Sequence, residues 1–111
     1  MPNRPIPVSE ANVMIESYLS YMTVHGVDTK FQTHNIGFSS NELLVWMTKL
    51  KDRTDEFRIC LGVYPQGHQH AGKLTTIIWP YKDGRPVKKP TEGKDGDDTF
   101  EDPFNEGELR P

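Results

Sequence analysis

Residues 57–64 read FRICLGVY, and this stretch decides the fold. Apolar residues recur at Phe57, Ile59, Leu61 and Val63, the period of two that places every second side chain on one face of a strand. We therefore predict a β-strand here, with one strongly buried face.

The next apolar stretch, residues 74–81, reads LTTIIWPY and is apolar on both faces. A strand of this kind is usually covered on both sides, so we place it in the middle of a sheet. Pro80 lacks the amide hydrogen that a ladder requires, and we expect regular pairing to fade at this residue.

Two amphipathic helices are predicted from apolar side chains spaced three and four residues apart. The first runs from about Glu10 to His25 with Ser9 as N-cap, and its stripe comprises Ala11, Met14, Ile15, Tyr18 and Met22. The second runs from about Ser40 to Lys51 after a capping box at residues 39–42, and its stripe comprises Leu43, Trp46, Met47 and Leu50.

A short strand over Lys30–Phe38 completes the order α-β-α-β-β. We predict an α+β fold in which two helices pack on one face of a three-stranded mixed sheet. The spatial order of the strands is first, third, second, and the strand–helix–strand crossover is right-handed.

The charge distribution divides the chain into three parts. Residues 1–8 form an extended, Pro-rich segment, residues 9–90 form the α+β domain, and residues 91–111 form an acidic, irregular tail. The net charge is +3 up to Pro90 and −6 from Thr91 onward. The tail contains few large apolar residues and buries little surface to offset its ordering entropy.

Three stretches together carry a family resemblance: GFSSNEL at 37–43, FRICLGVYP at 57–65 and KLTTIIWP at 73–80. With the closing PFNEGELRP at 103–111, the chain resembles a family of small uncharacterised bacterial proteins from Bacteroidota. The family typically ends in a Gly-Leu-Cys-Pro-like motif, where this chain has Glu108-Leu109-Arg110-Pro111. The resemblance supports the α+β fold and implies no activity.

Composition and motifs argue against several functional classes. The single cysteine, Cys60, allows no intrachain disulfide, and no signal peptide or membrane-spanning run is present, so we expect a cytoplasmic protein. The weakly basic body and the acidic tail make nucleic acid an unlikely partner. No cofactor-binding or catalytic motif is found, so we expect no cofactor and favour a non-catalytic role.

Two histidines carry the metal-binding alternative. His68 and His70 lie two residues apart in a glycine-flanked loop, and converging imidazoles can bind one ion. Zinc requires about four ligands, so the remaining ones would have to come from elsewhere in the fold. A small metal-binding protein or metal-dependent enzyme is therefore the alternative function.

The favoured function is a non-catalytic protein–protein interaction or small-ligand-binding module, with a homodimer as one form of it. With both helices on one side of the sheet, the other face lacks a cover, and uncovered apolar patches commonly mark interfaces. The cover is either the C-terminal segment or a second copy of the chain. The candidate interface residues are Cys60, Tyr64, Ile78, Phe100 and Phe104.

Overall fold

The computed structural model describes residues 3–90 and 100–110, and the α+β class is confirmed. Four longer elements carry most of the regular structure: helices α1 and α2 and strands β2 and β3. The elements in chain order are α1 Val8–Val24, β1 Asn35–Gly37, α2 Ser40–Leu50, a 3-10 turn Lys51–Arg53, β2 Glu56–Val63, β3 Leu74–Lys82, β4 Arg85–Pro86 and β5 Glu108–Arg110. The predicted order α-β-α-β-β is thus kept, with two short strands added.

The larger sheet has three strands in the order β2-β3-β4, with β3 in the middle as predicted. All its pairs are antiparallel, so the predicted mixed sheet is wrong. The second edge of β3 is occupied by β4 and by Phe104, whose backbone exchanges two hydrogen bonds with Ile78, each 2.9 Å long. Strand β3 therefore has no edge left for β1, which instead pairs antiparallel with β5.

Pairing between β2 and β3 continues through Pro80, which lies directly opposite Phe57. The predicted fading is wrong because the Pro80 nitrogen points away from β2. On that side, the Pro80 carbonyl accepts a hydrogen bond from the Val87 amide at 3.0 Å. The turn from β3 to β4 then uses positive φ angles at Asp83 (53°) and Gly84 (76°), the type I′ geometry that suits Asp-Gly.

Helix α2 packs onto the sheet. Its N-cap is Ser39, whose hydroxyl accepts a hydrogen bond from the Glu42 amide at 3.2 Å, as the capping box predicts. Its Trp46 ring lies 5.5 Å from Phe57 and 5.0 Å from Phe104, between centroids. This aromatic cluster covers the Phe57 end of the sheet.

Helix α1 buries none of its residues. It begins at Val8 after Pro7, so the predicted Ser9 N-cap is wrong, and so is the predicted packing of α1 on the sheet. Met14 and Ile15, from the predicted buried stripe, are more than half exposed. Periodicity identifies an apolar stripe, but it does not reveal whether a matching surface lies within reach.

Residues 100–110, which we call the C-terminal segment, return to the body of the fold. Phe100 bridges to Lys88, Phe104 bridges to Ile78, and β5 pairs with β1. The predicted irregular tail is therefore wrong for residues 108–110, because β1 offers them a strand partner. The predicted boundary after Pro90 stays a prediction, since residues 91–99 lie outside the described residues.

The chain is expanded for its length. Its Cα radius of gyration is 17.0 Å, and its principal extents are 53 × 38 × 26 Å. A compact chain of 111 residues has a radius of gyration of about 13 Å. The unpacked α1 accounts for part of this difference.

Candidate functional site

An apolar groove of about 550 Å³ lies between the helices and one face of the sheet. This volume falls in the range of small-molecule sites, about 300–1,000 Å³. The Tyr18 side chain of α1 lies at the groove, but α1 does not close it. The apolar lining comes from β1, α2, β2 and β3 and consists of Ile36, Phe38, Leu43, Met47, Phe57, Ile59, Leu61, Leu74 and Ile78.

Three β2 residues extend this apolar lining to the open surface. Ile59 is 67% exposed, Leu61 is 85% exposed and Val63 is 59% exposed. We call these three residues the exposed apolar face. The predicted burial of this side of β2 is therefore wrong beyond Phe57, because α2 covers only the Phe57 end and α1 does not cover the rest.

Polar residues also line the groove, among them Thr33 and His34. Thr33 is buried, with 7% of its surface exposed, and its hydroxyl has no hydrogen-bond partner. The neighbouring His34 ring nitrogen Nε2 lies 2.6 Å from the Thr29 carbonyl. A carbonyl only accepts, so this nitrogen carries the proton. An enclosed, unpaired hydroxyl is costly and warrants an explanation.

The residues predicted to form an interface are brought together only in part. Tyr64 and Ile78 are buried, at 7% and 5% exposure, and Cys60 and Phe104 are half-buried. Phe104 of the C-terminal segment bridges to Ile78 along the edge of β3, which extends the sheet at that edge. Phe100 remains exposed at 41%. A role for these five residues at an interface stays a prediction.

Asn105 connects the C-terminal segment to the sheet. Its amide group donates to the Thr76 carbonyl at 2.6 Å and to the Thr75 hydroxyl at 3.3 Å. Its oxygen accepts a hydrogen bond from the Tyr64 hydroxyl at 3.0 Å. This network satisfies the polar end of a buried tyrosine and fixes the segment beside β3.

The two loop histidines are neighbours in space, with ring centroids 5.6 Å apart. The His68 ring stacks on Tyr64 at 4.0 Å, and its Nδ1 accepts a hydrogen bond from the His70 amide at 3.0 Å. The proton of the neutral ring is therefore on Nε2, which lies 3.5 Å from a Glu106 carboxylate oxygen.

Within residues 3–90 and 100–110, no group of three or more His, Cys, Asp or Glu side chains is arranged to hold a metal ion. Metal binding by His68 and His70 therefore stays a prediction, and the described residues add no complete ligand set to it. The stacking and hydrogen bonds of His68 give that residue a structural role in the loop.

Comparison with protein-family models, curated proteins and solved structures found no match to this chain. The resemblance to small Bacteroidota proteins stays a prediction. In the part of the chain that the structure describes, no helix is both long and apolar enough to cross a membrane.

Sequence reasoning missed the main features of the site. The alternation in β2 correctly marked Ile59, Leu61 and Val63 as one face, but nothing in the pattern showed that this face is open. Thr33 carries no sequence signal at all, since a threonine in a short polar stretch is unremarkable until its burial is known.

Proposed function

We propose that this protein is a non-catalytic interaction module that docks a polypeptide on the apolar groove and the adjoining exposed apolar face. The observation that carries the proposal is the exposure of Ile59, Leu61 and Val63 beside an open groove. Contiguous exposed apolar surface typically marks an interaction site. We propose the cytoplasm as the location.

A polypeptide is favoured over a small molecule because the apolar surface extends beyond the groove. A ligand enclosed by the groove would leave Leu61, which is 85% exposed, and Val63 open to water. The amount of apolar area removed from water sets the driving force, at about 25 cal/mol per Å². A partner chain covers both the groove and the exposed apolar face, and so gains more.

The test is photo-crosslinking with p-benzoylphenylalanine in place of Leu61 in the full chain. The matched control places the same group at Thr48, an exposed position on α2. Both proteins are irradiated after purification and again in lysate of the organism that encodes the chain. Polypeptide adducts from position 61 and none from position 48 support the proposal. The absence of polypeptide adducts from position 61 in both settings contradicts it.

A small apolar ligand is the second candidate occupant, and the unpaired Thr33 hydroxyl is the observation behind it. Such a ligand would place one hydrogen-bonding group at Thr33 and its apolar part along the groove. Native mass spectrometry of the purified protein, with Thr33→Val as comparison, detects it as a bound mass that the variant loses. Thr33→Val keeps the side-chain shape and removes only the hydroxyl.

Metal binding through His68 and His70 remains the alternative function, supported by the proximity of Glu106 to His68. Elemental analysis of the purified protein tests it directly. A transition metal present in stoichiometric amount and lost in the His68→Ala/His70→Ala variant supports the alternative. An equal metal content in the two proteins contradicts it.

A further inference from the structure

Strand β2 forms an edge of its sheet, and the direction of its outer peptide groups follows from the ladder. In an antiparallel pair, the backbone N–H and C=O groups of two directly opposed residues either bond each other or both point away from the partner strand. Ile78 exchanges both of its hydrogen bonds with Phe104, on the side away from β2. Ile59 lies opposite Ile78, so its N–H and C=O point to the open edge.

Alternation along β2 gives the same direction to Phe57, Leu61 and Val63. The open edge therefore consists of the peptide groups of the four apolar residues, and among the described residues no backbone group pairs with them. Water can bond these groups singly, and another strand can pair with the whole row of alternating donors and acceptors.

This edge lacks the features that usually prevent an edge strand from pairing with another chain. It is eight residues long and contains neither Pro nor Lys. Its two charged residues, Glu56 and Arg58, lie at one end and bond each other at 2.6 Å. Long, apolar, unprotected edges are templates for pairing with another chain.

We propose that β2 pairs antiparallel with β2 of a second copy, about a twofold axis at Cys60, so that two sheets join into one of six strands. This inference rests on the proposed function and names its partner. A twofold interface uses the same surface on both copies, so the strand must complement itself. The apolar pattern of β2 meets this requirement.

The register follows from matching faces. If the second copy were shifted by one residue, its apolar side chains would lie opposite the polar side chains of the first copy. The two apolar faces are therefore continuous only when the twofold axis passes through a residue position and not between two. Centring on Cys60 sets Phe57 opposite Val63 and Ile59 opposite Leu61, which uses all four apolar residues. Centring on Ile59 would set Val63 opposite Asp55, and centring on Leu61 would set Phe57 opposite Pro65.

The chain leaves more surface uncovered than a compact protein of its mass does. The chain exposes 8710 Å², whereas a compact protein of 12.7 kDa exposes about 6,200 Å². Part of this excess lies at Ile59, Leu61 and Val63, and part lies on the unpacked helix α1. Pairing at β2 also brings Ile59, Leu61 and Val63 of the two copies into cross-strand contact, which covers the sides of these residues that face the edge.

The proposed register makes a specific prediction about the single cysteine. The residues at the open edge would form the hydrogen-bonded pairs, so Cys60 would face its counterpart in a non-hydrogen-bonded pair, with Cα atoms about 4.5 Å apart. This separation lies within the range that a disulfide spans, about 4.4–6.8 Å.

The test uses the full chain in two measurements: light scattering for the mass, and oxidation by diamide for the crosslink. Diamide takes up the two hydrogen atoms that the two thiols lose when the disulfide forms. We expect a concentration-dependent mass of twice 12.7 kDa and a rapid Cys60–Cys60 crosslink. The control moves the cysteine to α2 in Cys60→Ser/Thr48→Cys, which should crosslink at least about tenfold more slowly. Equal crosslinking rates would overturn the proposed register and axis.

Two surface variants test the strand itself. Leu61→Lys should raise the dimer dissociation constant at least about tenfold, because it places a charge in the joined apolar face. Val13→Lys changes an exposed apolar residue of α1 and should leave the constant within about twofold. Leu61→Pro removes one outward amide from the open edge and should also abolish the dimer, with retained circular dichroism showing that the chain still folds.

A strict monomer up to millimolar concentration overturns this inference. If position 61 nevertheless crosslinks to a different polypeptide in lysate, the proposed function survives with another partner. If position 61 crosslinks to no polypeptide, both proposals fail. The two failures are therefore distinguishable.

Discussion

At the scale of single residues, Asn105 makes three side-chain hydrogen bonds that join the C-terminal segment to the sheet. Its side chain serves Tyr64, Thr75 and the Thr76 carbonyl at once. Asn105→Ala should lower the free energy of unfolding by about 1–3 kcal/mol, because the buried partners lose their hydrogen bonds. Urea denaturation measures the change.

The control for this substitution is Asn41→Ala. Asn41 is an exposed residue in the first turn of α2, and its replacement should change stability by less than about 0.5 kcal/mol. If the two variants unfold at the same urea concentration, the Asn105 network contributes nothing measurable.

Two apolar residues of opposed strands should respond very differently to substitution. Ile78 is 5% exposed and Leu61 is 85% exposed, although both lie on the same face of the sheet. In dilute protein, Ile78→Ala should cost about 2–5 kcal/mol by creating a cavity, whereas Leu61→Lys should cost less than about 0.5 kcal/mol. A large loss of stability for Leu61→Lys in dilute protein would show that this face is buried within the single chain.

At the scale of elements, the β1–β5 ladder depends on a close approach at Gly107. A Cβ atom at this position would lie 2.5 Å from the Ile36 Cγ2 atom and 2.7 Å from the Phe38 ring. Gly107→Ala should therefore destabilise the protein by about 1–3 kcal/mol, because the segment must shift. Thermal unfolding measures the loss of stability, and hydrogen exchange of the amides of β1 and β5 measures the opening of the ladder.

Gly37→Ala is the matched control, since it lies on the paired strand and its Cβ would meet only the Arg110 guanidinium at 3.5 Å. This is an ordinary contact distance, so the ladder should persist. Equal losses of stability in the two variants would mean that the close approach at Gly107 is not the cause.

Helix α1 should unfold almost independently of the sheet. Because it buries none of its residues, Ser17→Pro should reduce the helical circular dichroism signal with little change in the unfolding midpoint of the remainder. Thr48→Pro in α2 is the comparison, and it should lower the midpoint strongly because α2 carries the buried Leu50 and packs on Phe57. Similar midpoints for the two variants would contradict the unpacked state of α1.

The contrast between the helices shows what could be predicted from sequence. Helix α2 was predicted with its cap and its apolar stripe, since these are local features of Ser39, Glu42 and Trp46. Local sequence features also predict that α1 is a helix, but they do not determine whether it packs on the sheet. Pairing of β1 with β5 could not be predicted, because it joins residues more than 70 positions apart and β5 has no strand pattern.

The candidate site could be predicted still less. Alternation in β2 grouped Ile59, Leu61 and Val63 on one face, but whether such a face is buried depends on distant elements. The bonding of β3 to Phe104 determines which peptide groups of β2 face outward, and no periodicity encodes that choice.

At the scale of the whole molecule, the expanded shape is the quantity to measure. The Leu61→Lys variant, which should be monomeric, is expected to give a radius of gyration near 17.0 Å by small-angle X-ray scattering. A compact monomer would give about 13 Å. A value near the compact one would mean that α1 folds back over the groove within one chain.

The pairing of β1 with β5 has a consequence for biosynthesis. Ile36 emerges from the ribosome long before Leu109, yet the two residues are direct ladder partners. Phe104, which completes the second edge of β3, also emerges well after that strand. The nascent chain therefore cannot close its smaller sheet until residues 108–110 have left the ribosome, and the apolar strands between β1 and β5 stay without this cover until then.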